Sequence, residues 1–113
     1  MGMLAITIPI LPGKEAEWKA GMELLKTKFK SQFEASRKKL GVRERTFHQV
    51  TPMGEFITIT LEGNDVGNAF ANFFTANDEF TNWMKGWAQS VHGMNLDGPM
   101  PPLPELVADS GAN

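Results

Sequence analysis

Two histidines are the side chains of this chain whose chemistry suits proton transfer near neutral pH. His48 lies in a stretch that alternates like a β-strand, and His92 closes an apolar helical pattern immediately before Gly93. Either imidazole could take a proton from a bound substrate, so both are candidate catalytic residues. Each also has a structural alternative. His92 as an imidazolium could complement the last carbonyls of its helix, and His48 could bond a backbone carbonyl or solvent.

Aromatic side chains recur at helical spacing in the second half of the chain and predict an apolar pocket between a helix and a sheet. They are Phe70, Phe73, Phe80, Trp83 and Trp87. Such a pocket suits a small aromatic ligand. The same spacing also serves a helix that packs on its own core, so a purely structural role stays open.

Several other reaction centres are excluded by residue type. The chain has no Cys, which removes disulfides, thiol catalysis and thiolate metal sites together. Two His without a clear third carboxylate ligand fall short of a usual transition-metal set, so we predict no metal site. The sequence also lacks a Gly-rich phosphate loop and a G-x-S-x-G nucleophile elbow.

Charge is unevenly distributed along the chain. The 113 residues carry a net charge of −2, yet ten of the eleven Lys and Arg residues precede position 46. The acidic pI of about 5.6 and the lack of aromatics interleaved with the basic residues argue against nucleic-acid binding. No apolar run approaches the roughly 18 residues that cross a bilayer. We therefore expect no membrane association and a cytoplasmic location.

The elements that must position these side chains follow the order β-α-β-β-α-β. Alternating residues predict strands at 4–10, 42–51 and 55–62, the last two joined by a hairpin turn. A first helix of about 27 residues is predicted to end at Gly41. Arg37 is counted among the basic residues lying off its apolar stripe.

The remainder of the chain predicts a short helix, a kink, and a longer helix ending at Gly93. Residues 105–108 are the only candidate for a fourth strand. We expect one domain over residues 1–113, with a proline-rich C-terminal arm at 94–113.

Two segments resemble a known group of proteins. They are the helix entry LPGKEAEW at 11–18 and the segment FFTANDEFTNW at 73–83. Together with the element order and the chain length, they resemble the dimeric α/β-barrel superfamily. That ferredoxin-like group includes antibiotic-biosynthesis-monooxygenase-like and stress-responsive barrel proteins.

The resemblance implies an α+β, ferredoxin-like βαββαβ fold. Its four-stranded antiparallel sheet would carry two helical segments on one face and pair with a second copy into a dimeric α/β barrel. It implies a homodimer that binds a small apolar or aromatic molecule, as a cofactor-independent monooxygenase or isomerase. One alternative is a non-catalytic stress-type dimer that recruits a protein partner. A weaker one is a haem-binding protein with His92 on the iron, for which the first strand offers Thr7 where haem-degrading relatives have an Asn.

Overall fold

The computed structural model describes residues 2–96 and 102–111 of the chain. Within them lie three strands and four helices, which gives the predicted α+β class. The strands are β1 (Gly2–Pro9), β2 (Val42–Thr51) and β3 (Gly54–Gly63). The helices are α1 (Glu15–Lys26), α2 (Lys30–Leu40), α3 (Val66–Ala71) and α4 (Glu79–His92).

The sheet has β3 in its centre, antiparallel to β1 on one side and to β2 on the other. The two flanking strands therefore run parallel to each other, as a split β-α-β unit requires. The predicted hairpin between β2 and β3 is confirmed, with Thr51 opposite Gly54 at the turn. This register places His48 opposite Ile57, which decides the surroundings of that imidazole.

One face of the sheet is covered by the helices and holds the core. Leu4, Ile57 and Leu61 point to that face and are buried. The opposite face carries Phe47, which is 53% exposed, and Thr58. In the part of the chain that is described, no helix covers this second face.

The predicted single long first helix is wrong, because the chain breaks between α1 and α2. The Thr27 hydroxyl donates to the Glu23 carbonyl at 2.6 Å, and the Thr27 N–H bonds back to the Leu24 carbonyl. A hydroxyl that bonds the backbone in this way competes with regular helical geometry. The break lets Phe29 turn inward, where it is only 2% exposed and packs against Phe80.

The predicted short helix, kink and longer helix are confirmed as α3 and α4. Asp65 caps α3 by accepting from the Asn68 N–H at 3.1 Å, and Asp78 caps α4 by accepting from the Thr81 N–H at 2.7 Å. Gly93 ends α4 in the left-handed region at φ 67°, which favours glycine. His92 is thereby held at the last position of the helix.

The predicted fourth strand is wrong for the chain by itself. Residues 102–111 have no strand and are exposed throughout, and the described sheet has three strands. A strand forms only by hydrogen bonding along an edge, and Pro102 and Pro104 lack the N–H that such pairing needs. Residues 97–101 and 112–113 of the predicted arm lie outside the described residues. No helix in the described ranges is long and apolar enough to span a membrane.

Candidate functional site

A cavity of about 70 Å³ lies between the helix-covered face of the sheet and the helices above it. Its wall is mostly apolar, with Ile6 and Ile59 from the sheet and Met22 and Phe33 from α1 and α2. The alternation of β1 and β3 and the apolar stripes of the helices bring this wall together. A concave, mostly apolar lining is typical of small-molecule sites, which are usually larger than this cavity.

Four polar or charged side chains interrupt this apolar wall. They are Arg37, Glu44, Thr46 and His92. A cavity that is apolar except for a few converging polar groups can both hold a hydrocarbon ring and orient it.

The five aromatic residues predicted to form a pocket divide into two groups. Phe70, Phe73 and Trp87 line the cavity. Phe80 instead belongs to the core beneath α1 and α2. Trp83 lies between Phe29 and Trp87, stacking on them at ring distances of 4.6 and 5.2 Å, and faces an open groove between α1 and α4.

His92 also lines the cavity. Its ring is hydrogen-bonded to the last residue of β1. Its Nδ1 lies 2.7 Å from the carbonyl oxygen of Pro9. Because a carbonyl can only accept, Nδ1 carries the proton, and in the neutral ring Nε2 carries the lone pair. Burial lowers the pKa of His92, and the hydrogen bond to Pro9 offsets part of that effect. A neutral imidazole with a free lone pair is the form that a general base requires.

His48 lies outside the cavity, in a surface groove of about 440 Å³. Its ring centroid is 4.6 Å from that of Trp18, which separates it from the cavity. Its Nε2 is 2.7 Å from Oε1 of Glu55, a carboxylate that can fix the tautomer and orientation of the ring. The two candidate histidines are therefore not brought together. Across residues 2–96 and 102–111, no three His, Asp or Glu side chains come close enough to hold a metal ion.

The Glu55 partner of His48 was not identified from the sequence. The signal was nevertheless present in the turn, since a two-residue hairpin that pairs Thr51 with Gly54 places Val50 opposite Glu55. His48 then lies diagonally across from that carboxylate on the same face of the sheet.

A buried ion pair in the cavity wall also escaped the sequence analysis. Arg37 Nε lies 2.6 Å from Glu44 Oε1, and the two side chains are 6% and 7% exposed. The prediction that Arg37 lies off the apolar stripe is wrong. Its spacing of four residues from Phe33 is the signal that could have revealed it, because residues i and i+4 share one helix face.

Two buried donors near the cavity lack acceptors. The indole Nε1 atoms of Trp18 and Trp87 have no hydrogen-bond partner within the described part of the chain. Trp18 is 6% exposed, and both rings line the cavity. An unpaired buried donor costs about 1–3 kcal/mol. Nε1 of Trp87 packs against Gly21 of α1, so the Trp18 N–H is the donor that would favour an oxygen-bearing guest over an empty cavity.

Comparison of the chain with protein-family models, with curated proteins and with solved structures finds no match in any of the three.

Proposed function

We propose that this protein binds a small, flat, apolar molecule bearing a hydrogen-bond-accepting oxygen in the cavity between sheet and helices. The observation that carries the proposal is the buried indole N–H of Trp18, a residue of the cavity wall, which has no acceptor among the described residues. A carbonyl or phenolic oxygen of the guest would satisfy a donor that is otherwise left unpaired. The aromatic walls formed by Phe70 and Phe73 suit a planar ring.

The cavity must widen for such a guest to fit. An apolar cavity of about 150 Å³ accommodates benzene, and the cavity here measures about 70 Å³. A groove of about 270 Å³ lies directly outside it and shares Met22, Phe33 and Thr46 with the cavity wall. Because methionine is unbranched and adapts readily, rotation of Met22 would join the two spaces into one pocket.

The reaction we propose is cofactor-independent oxidation or isomerisation, begun by proton abstraction. Nε2 of His92 would remove a proton from an activated CH₂ group of the guest, leaving a delocalised carbanion. In a monooxygenase that carbanion supplies the electrons to O₂. One oxygen atom stays as a new carbonyl and the other leaves as water with the two hydrogens, so no further reductant is needed. In an isomerase the same proton returns at another carbon.

The test measures turnover of quinol-like substrates by the wild type, His92→Ala and His48→Ala. Loss of a general base should lower the rate of His92→Ala about 100-fold or more. His48→Ala is the matched control, because its ring lies outside the cavity. Equal rates in all three proteins would remove both histidines from the mechanism. Native mass spectrometry of the purified wild type would show any small molecule that it retains.

We also propose that the protein is a homodimer of the dimeric α/β-barrel type, built on the uncovered face of the sheet. That face carries the exposed ring of Phe47 beside an Arg45–Glu62 ion pair and a Thr7–Thr58 hydrogen bond of 3.0 Å. An isologous contact around a two-fold axis would bring this same face of each copy together.

A dimer would also give the C-terminal arm a pairing partner. The edge of β1 that faces away from β3 has no neighbouring strand in the described part of the chain. Residues 105–108 could supply the fourth, ferredoxin-like strand at such an edge of the second copy. Phe47→Lys should then yield a monomer in light scattering, while Met53→Lys, at a turn residue that is 91% exposed, should leave the mass unchanged. A monomeric wild type would contradict the proposal.

The small volume of the cavity supports a second candidate function, the non-catalytic dimer that recruits a protein partner. A wild type that turns over nothing and retains no small molecule would favour it. Haem fits poorly, because a cavity of about 70 Å³ has no room for a macrocycle. A Soret band that does not shift when haem is added would end the haem hypothesis.

A further inference from the structure

We propose that Arg37 binds an anionic oxygen of the cavity's guest, which makes that guest an elongated, planar aromatic acid rather than a neutral hydrocarbon. This inference rests on the proposed function and adds to it the charge and the length of the ligand. Nothing in the sequence pattern had assigned a binding role to Arg37.

The guanidinium of Arg37 is buried in the cavity wall between two aromatic rings. Its Cζ lies 3.9 Å from the ring centroid of Phe73 and 5.1 Å from that of Phe33, and both rings line the cavity. Both rings contact the guanidinium as cation–π partners, while its N–H groups donate in its own plane. This is the plane in which a carboxylate or enolate oxygen is recognised.

The hydrogen bonds of this guanidinium leave part of its capacity unused. A guanidinium has five N–H donors, and three bonds to described residues account for three of them. Nε binds Glu44, Nη1 binds the Ser36 hydroxyl at 2.9 Å, and Nη2 contacts the Met84 sulfur at 3.3 Å. A thioether is a weak acceptor, so an anionic oxygen that replaced the Met84 sulfur would accept a stronger hydrogen bond from Nη2.

The geometry of the Arg37–Glu44 pair also fits a binding role better than a purely stabilising one. Glu44 accepts a hydrogen bond from Nε through one oxygen and does not occupy the edge of the guanidinium formed by Nη1 and Nη2. A carboxylate can bind that edge with both of its oxygens. A buried ion pair is seldom more stabilising than apolar residues of the same volume. Its presence in an apolar wall is explained if Glu44 orients the guanidinium for a third group.

The length of the guest follows from α4. Arg37 contacts Met84, and His92 lies eight residues further along the same helix. At 1.5 Å per residue these positions are about 12 Å apart along the helix axis. A guest that reaches both Arg37 and His92 therefore needs two or three fused rings. Its acidic oxygen would lie at Arg37 and its opposite end near the imidazole.

The experiment compares two probes of nearly equal shape, 2-naphthoate and 2-methylnaphthalene, by titration calorimetry. The wild type should bind 2-naphthoate about 10- to 100-fold more tightly, the range of a charge-assisted hydrogen bond. The double variant Arg37→Met with Glu44→Met removes the buried pair without leaving an unpaired charge. It should lose this preference and still bind 2-methylnaphthalene.

The matched control is Arg45→Met with Glu62→Met, which removes an ion pair of the same kind from the opposite face of the sheet. This variant should keep the preference. Arg37→Lys retains the charge and the partner Glu44 but loses the planar edge, and should reduce the preference about 10-fold. It serves as the test if the double variant fails to fold.

The outcomes separate the two proposals. Equal binding of the two probes by the wild type, or a preference that survives in the Arg37 variants, overturns the role of Arg37 alone. If the wild type binds neither probe, the apolar binding site itself is wrong, and this inference falls with it.

Discussion

Replacing Gly21 by alanine tests how tightly α4 is packed on α1. A Cβ built on Gly21 would overlap Cε2 and Nε1 of Trp87 and lie 2.8 Å from its Cδ1. Carbon atoms normally touch at about 3.5–4.0 Å, so the indole would have to withdraw by more than about 1 Å. Overpacking of this kind costs about 1–3 kcal/mol, which outweighs the roughly 0.5–1 kcal/mol that alanine gains over glycine in a helix.

Gly86→Ala is the matched control for this substitution. Gly86 lies in α4, and a Cβ there meets nothing within 4 Å. This variant should therefore be more stable than the wild type by about 0.5–1 kcal/mol. Urea unfolding followed by tryptophan fluorescence measures both changes. A Gly21→Ala protein as stable as the wild type would refute the close packing of Trp87 on α1, and with it the position of Trp87 in the cavity wall.

The remaining predictions concern pH, a buried charge and a helix cap. Because the pKa of His92 is lowered from 6.5 in the folded state, the unfolded chain binds more protons as pH falls, and this contribution to stability is present above about pH 6.5 and lost below it. His92→Asn should make the free energy of unfolding depend less steeply on pH between pH 7 and 5. An unchanged slope would contradict the burial of the ring. Arg37→Met alone leaves Glu44 charged and buried and should destabilise the fold by about 3–5 kcal/mol in urea, unlike the double variant. Asp78→Ala removes the cap of α4 and should cost about 1 kcal/mol, seen as a lower melting temperature; no change would show that solvent satisfies the freed N–H equally well.

Local signals in the sequence were sufficient for several elements. Alternation between positions 42 and 62 with a Pro-Gly turn predicts the hairpin, because each strand and its turn are decided by neighbouring residues. Gly41 and Gly93 end helices where predicted, at φ 74° and 67°, because L side chains rarely adopt that conformation. These features require no knowledge of distant contacts.

Other predictions failed where distant contacts compete with local pattern. The apolar spacing of the first helix continues through Thr27, but burial of Phe29 against α4 favours a break there. Residues 105–108 have strand-like composition, but a strand also needs an edge within reach. The periodicity of apolar residues predicts neither feature, because it contains no information on which elements come into contact.

Features of the candidate site also fall into those that follow from the sequence and those that depend on tertiary contacts. The sequence by itself determined that His92 closes an apolar helix and that aromatic residues repeat along that helix, since both follow from spacing along one element. Only the tertiary structure decided that His92 lines the cavity while His48 lies behind Trp18. It also decided that Arg37 is buried against Glu44. The physical reason is that burial and ion pairing depend on how two elements cross, and residues of separate elements share no periodicity from which that crossing could be read.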